Sequence, residues 1–277
     1  PTSLSLVEEV RLAFSRDAEI DTAENARLVA IMEDPTGEAY SPGEIASIKK
    51  VEDLADIAKP KLVSIETPIH HVTLKTAVVE GDNTQIGSSE VILDASLGTC
   101  AAEEYCMYSR SRYNDFYQRD GGVYRNHHQY NNHHLCWRSV NDIGVPGFEH
   151  REFLVKSTWK RIGDKQIIVS HANETEWDLN VVDPFSPSSK VVKATSWGLV
   201  TFEKLPDING VPQTKMTWLT YLNIAGVLPA KVVNILLPSR LLSLDIVRQK
   251  FDKSLAIDGA KRSEFAEKIK DYQGVYS

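Results

Sequence analysis

The pattern of apolar and polar positions changes period once along the chain. Over the first ~60 residues the apolar positions recur at helical spacing. Val7, Val10 and Phe14 form one short stripe, and Asp21 with Glu24 caps a second around Leu28, Ile31 and Met32. Ser41-Pro42-Gly43-Glu44 has the form of a capping box with proline at the first helical position. Ile45, Ile48, Val51, Leu54 and Ile57 follow at steps of three, and Lys59-Pro60 closes that helix.

From Leu62 the period shortens towards two. Segments 70–80, 89–94, 133–140, 151–162, 166–172, 190–203 and 214–224 are rich in Val, Ile, Thr, Trp and Phe, and turn signals such as Asp120-Gly121-Gly122, Gly163-Asp164 and Asn209-Gly210 separate several of them. Seven strands joined mostly by short turns predict one antiparallel sheet. In Arg151 to Trp159 the odd positions are mainly apolar and the even ones mainly polar, so that strand buries one face. One helix is predicted near 97–110. A long one runs from Pro229 to about Leu255, carrying Val233, Leu237, Leu241, Leu244, Val247, Phe251 and Leu255 at steps of three and four, and a short one occupies 259–274. The fold class is therefore α+β, with an antiparallel sheet closed by a C-terminal helix. Three regions follow: a helical extension over 1–60, a binding domain over 61–257 and a helical tail over 258–277.

Composition narrows the partners. The net charge of −7 disfavours a nucleic-acid partner, whose polyphosphate requires clustered Lys and Arg. Three cysteines, Cys100, Cys106 and Cys136, with no CxxC pair, fit a reducing compartment, and the cytoplasm is expected. No basic stretch followed by an apolar run opens the sequence, so no secretory leader is expected. The nearest approach to a membrane span, Trp218 to Leu237, is interrupted by Asn223, Gly226, Pro229, Lys231 and Asn234, and reads as a strand, a turn and a helix start.

Three stretches carry a resemblance. Thr214-Lys215-Met216-Thr217-Trp218, followed by Gly226-Val227-Leu228-Pro229, resembles the last strand and turn of START domains, the lipid-transfer modules related to the steroidogenic acute regulatory protein. Arg151-Glu152-Phe153, continued by Trp159-Lys160-Arg161, is similar to the family's R-D-F strand. Ser96 to Asn114 is similar to its helix ending in Arg-x-x-aromatic. Together they cover roughly residues 62–256 in order.

The resemblance implies a helix-grip fold: a curved sheet around a long C-terminal helix, enclosing an apolar tunnel for one lipid, with no cofactor. It implies binding or intermembrane transfer without catalysis, by a monomer that meets membranes transiently. The expected tunnel wall is Val155, Ser157, Trp159, Trp197, Met216, Trp218, Thr220 and Leu222 from the strands, with Val233, Leu237, Leu241 and Leu244 from the helix. Sterol-carrying members place an Arg, paired with an acid, where this chain has Ser157, and Arg138 on a neighbouring strand is the expected substitute charge. The phosphatidylcholine carriers have Arg-x-x-Trp-Asp where this chain has Arg110-Ser111-Arg112-Tyr113-Asn114; Arg110 matches and Asn114 does not. Residues 173–189 take the place of the lid loop, with Trp177 and Phe185 as membrane contacts, and Pro238 is expected to kink the gate helix.

Other constellations weigh less. His127, His128, His133 and His134 flank Asn131-Asn132; across a two-residue turn they would pair and offer two metal ligands, although a solvated hairpin tip is the expected reading. Cys136 beside His134 lacks an orienting acid. Arg240, Arg248, Lys250 and Lys253 are either a steering patch for anionic surfaces or a solvated face interleaved with Asp245 and Asp252. Two alternatives stand beside lipid carriage. One is a ligand-sensing domain whose N-terminal helices plug the tunnel. The other is an enzyme with a converging polar cluster in the cavity.

Overall fold

The computed structural model describes residues 26–34, 39–78, 84–119, 121–174, 190–225 and 237–273. Trp177, Phe185 and Val233 lie outside them. The chain forms one sheet with strands β1 (Val63–Ile65), β2 (Thr73–Val78), β3 (Thr84–Leu93), β4 (Gly122–Gln129), β5 (His134–Asn141), β6 (His150–Ile162), β7 (Gln166–Asn173), β8 (Val191–Lys193), β9 (Thr195–Ile208) and β10 (Val211–Asn223). Their spatial order is β1-β2-β3-β10-β9-β7-β6-β5-β4, antiparallel throughout, with β8 added parallel to β6. The sheet is curved, does not close on itself, and wraps around helices.

Side-chain alternation divides this sheet into two faces. The inner one is lined by Val91, Trp137, Val155, Val169, Phe202 and Met216. Against it pack α1 (26–33) through Leu28 and Met32, α3 (Leu97–Tyr105) through Cys100 and Ala101, and α6 (Leu244–Lys250) through Leu244. The outer face presents Ile86, Ile168, Trp197, Leu199 and Leu219 to α2 (Pro42–Ala58). Both faces of the central strands are therefore covered.

Helix α2 starts at the expected capping box: Ser41 Oγ accepts from Glu44 N, and the Glu44 carboxylate accepts from Ser41 N. Its buried stripe is Ile48, Val51, Ala55 and Ala58, turned from the expected one, so Ile45 and Ile57 are 50% and 61% exposed. Alanines let the helix axis approach the sheet closely, which larger side chains at 55 and 58 would prevent.

The region expected as one helix over 97–110 is two, α3 and α4 (Arg110–Arg119), broken at 106–109. The C-terminal helical stretch runs from 237 to 273 in three segments: α5 (237–242), α6, and the twenty-residue α7 (Ser254–Gln273). Ser243 separates the first two, its Oγ donating to the Arg240 carbonyl, and 251–253 separates the last two. Pro238 lies in α5, and the residues just before 237 lie outside the described ones.

Candidate functional site

Helix α5 reaches the sheet because Gly87 has no side chain. A Cβ there would lie 2.5 Å from Leu241 Cδ1 and 3.0 Å from Leu237 Cδ2. Leu237 and Leu241 are fully buried and cluster with Leu74, Trp218 and Leu222. Beside this contact, between the inner face of the sheet and α5, lies a cavity of about 70 Å³. Its apolar wall includes Phe153, Val155, Trp218, Leu222 and Leu237. A second hollow adjoins it under α6, lined by Met216, Leu244 and Val247, and the two share Glu104, Met107, Arg125, Trp218 and Arg240.

The structure thus places Val155, Trp218, Leu222 and Leu237 on the main cavity, with Thr220, and Met216 and Leu244 on the adjoining hollow. Trp197 touches the cavity, yet its ring stacks on Tyr221 at 5.8 Å in the cluster under α2. Leu241 packs on Gly87 instead. Trp159 is wholly buried in the core, its indole N–H donating to the Asn132 carbonyl at 2.9 Å. Arg138 does not join the wall. On β5 the odd positions Trp137, Ser139 and Asn141 face the cavity, which sends Arg138 to the opposite face, where its Nε donates to Glu152 Oε1 at 2.7 Å.

The polar end of the cavity holds residues that the sequence pattern did not single out. Glu104, from the last turn of α3, is 3.1 Å from Arg112 Nη2 and 3.5 Å from His171 Nε2. Burial pushes the Glu104 carboxyl up, but the Arg112 and His171 neighbours outweigh it and hold it below the usual range. His171 Nδ1 lies 2.8 Å from Ser157 Oγ, and Ser157 Oγ accepts the Trp137 indole N–H at 3.0 Å. Ser157 Oγ thus bridges Trp137 Nε1 and His171 Nδ1, and Nε2 of the same imidazole faces Glu104. Ser157 is 0% exposed, so it supports the site from behind. Its register partner on β7 is His171 itself. The two polar residues opposed across otherwise apolar faces were the available signal in the sequence.

Arg125, on β4, has its guanidinium carbon 4.0 Å from the centre of the Phe116 ring, and Arg240, on α5, sits 5.7 Å from that of Trp218. Arg112, two residues after the expected Arg110, is the member of that string that borders the hollow. Of the other basic residues expected there, Arg248 pairs with Asp245 and Asp252, and Lys250 with Glu103 and Asp115.

The histidine string forms no metal site among the described residues. The hairpin loop is longer than two residues, so His127 and His128 face Trp137 and Cys136 across the ladder. Nor is the tip simply solvated. His133 is 2% exposed, with Nε2 3.3 Å from the Glu44 carboxylate, which also accepts from Asn131 Nδ2 at 2.8 Å. His127 stacks on Tyr108. The Glu44 contacts fasten α2 to the β4–β5 hairpin, whereas the His127–Tyr108 stack lies on the face that His127 shares with Trp137. The described N-terminal helix α2 therefore does not plug the cavity.

No family model matches this chain, and no curated protein matches its sequence. Solved structures do. Human StAR-related lipid transfer protein 5 superposes with a TM-score of 0.54 at 15% identity, over 76% of this chain and 98% of that one. The human StarD13 (DLC2) lipid transfer and protein localization domain gives 0.52 at 14% identity, over 73% of this chain and 96% of that one. At such identity the likeness shows the fold alone, a helix-grip fold.

Proposed function

We propose that this helix-grip chain binds a single hydrophobic or amphipathic lipid in the cavity beneath α5 and carries it between membranes, without catalysing a reaction. The observation that supports this most directly is the cavity wall: apolar side chains from β6, β10 and α5, with a few polar groups gathered at one end. Each ligand methylene moved from water into such a wall is favoured by about 0.8 kcal/mol. A bilayer interior offers nearly the same environment, so exchange is fast only where the gate opens at a membrane surface.

The gate assigned here is α5. α5 is held on the sheet largely through the Leu237 and Leu241 contacts over Gly87, a small apolar contact that can part and re-form. The non-catalytic reading rests on Ser157. This hydroxyl, 2.8 Å from His171 Nδ1, is sealed from the cavity while accepting from Trp137. No described helix is long and apolar enough to cross a membrane. We assign the binding unit to 61–257, working as a monomer that touches membranes transiently, and a cytoplasmic setting on the strength of three free thiols.

A variant that fills the cavity tests this reading. Leu222→Trp places an indole where the ligand chain would lie. The expected result is unchanged circular dichroism with at least a tenfold loss of lipid uptake from liposomes. A folded variant that takes up lipid as well as the parent contradicts the assignment of this cavity.

A further inference from the structure

The charge of the cavity wall is opposite in sign to that of the whole protein. The chain carries a net −7, yet the described residues lining the cavity and its adjoining hollow include three guanidiniums, Arg112, Arg125 and Arg240, against two carboxylates, Glu104 and Asp115. Both carboxylates are engaged locally, Glu104 by Arg112 and Asp115 by Lys250 from α6. Arg125 and Arg240 border both spaces, one from the sheet and one from α5, each over an aromatic ring. A guanidinium in such a place presents a planar fork of N–H donors whose geometry matches a carboxylate or a phosphate. Low dielectric walls strengthen that field relative to open solvent.

From this we infer that the ligand is an amphiphile with a single anionic oxyanion head group, a carboxylate or a phosphate, held between Arg125 and Arg240 while its apolar chain lies along Val155, Trp218 and Leu222. The inference rests on the cavity being the ligand site, as proposed above. Arg240 belongs to α5, so the head group also ties the gate helix to the sheet: an anion bridging the two arginines closes the cavity over its own chain.

Three probes with the same sixteen-carbon chain separate head-group charge from apolar burial: hexadecanoate, hexadecyl phosphate and hexadecan-1-ol, each titrated below its micelle concentration. The expected result is that both anions bind at least tenfold tighter than the alcohol at low salt, that added salt narrows the gap, and that Arg240→Gln reduces it to twofold or less. Arg240 is exposed on a helix, so its substitution leaves the core intact, and Arg248→Gln, away from the cavity, serves as the control that keeps the full preference. The ratio between the two anions tells a carboxylate source from a phosphate source. An alcohol that binds as tightly as the anions overturns the charge inference and leaves lipid binding standing. If none of the three binds, the cavity reading itself fails, and this inference with it.

Discussion

Glu44 gathers more polar contacts than any other carboxylate described: Ser41 N at 2.7 Å, Asn131 Nδ2 at 2.8 Å and His133 Nε2 at 3.3 Å. Burial would raise its pKa, but these donors outweigh burial and bring it down to about 2 from 4.5. A carboxyl depressed on folding stabilises the protein fully above its unfolded value, and the contribution disappears as pH falls through the folded one. Removing the charge by Glu44→Gln should cost up to about 3 kcal/mol in urea unfolding at pH 7. Near pH 2 the gap between variant and parent should shrink to a fraction of that. An equal gap at both pH values would mean that the carboxylate charge is not what the hairpin holds. At this scale the sequence made half of the site legible. The capping box at Ser41 and Glu44 is local and could be read; the partners Asn131 and His133 are 87 and 89 residues further on and could not. The same holds for Glu104 and His171, which meet only because α3 ends beside β7. Alternation along one strand places Val155 and Trp218 but does not predict which face a neighbouring strand turns inward, and Arg138 was assigned inward for that reason.

Among the elements, the contact between α5 and β3 borders the cavity, and Gly87 sets its distance. Gly87→Val should destabilise the protein by about 1–3 kcal/mol through overpacking against Leu237 and Leu241. It should also speed amide hydrogen exchange across 237–242 more than in α2. Exchange in α5 that stays at the parent rate contradicts the view that this helix rests on the glycine. Most strands were legible because they are apolar on at least one face. Strand β4 was not: Gly-Val-Tyr-Arg-Asn-His-His-Gln is half-buried and polar on both sides, and it is held by its ladder to β5. Three-residue β1 is exposed throughout and pairs on only one side. The C-terminal helical stretch keeps its apolar periodicity across Ser243 and 251–253. Periodicity therefore gave no sign of the breaks, which arise where Ser243 bonds back to the Arg240 carbonyl and where Asp94 takes the Lys253 N–H.

The whole molecule is a two-sided sheet with different tasks on its faces. The outer face is filled by α2 and fastened at the hairpin, while the inner face is packed at one end by α1, α3 and α6 and left hollow beside α5. The acidic exterior and the arginines bordering the cavity separate the surface that keeps the protein dispersed from the one that meets a ligand. Native mass spectrometry of the purified protein, with solvent extraction and identification of what it carries, tests the central claim most directly. The account predicts one small amphiphile per chain, lost on denaturation and regained from mixed liposomes. Protein that is empty as isolated and stays empty after that incubation would contradict it.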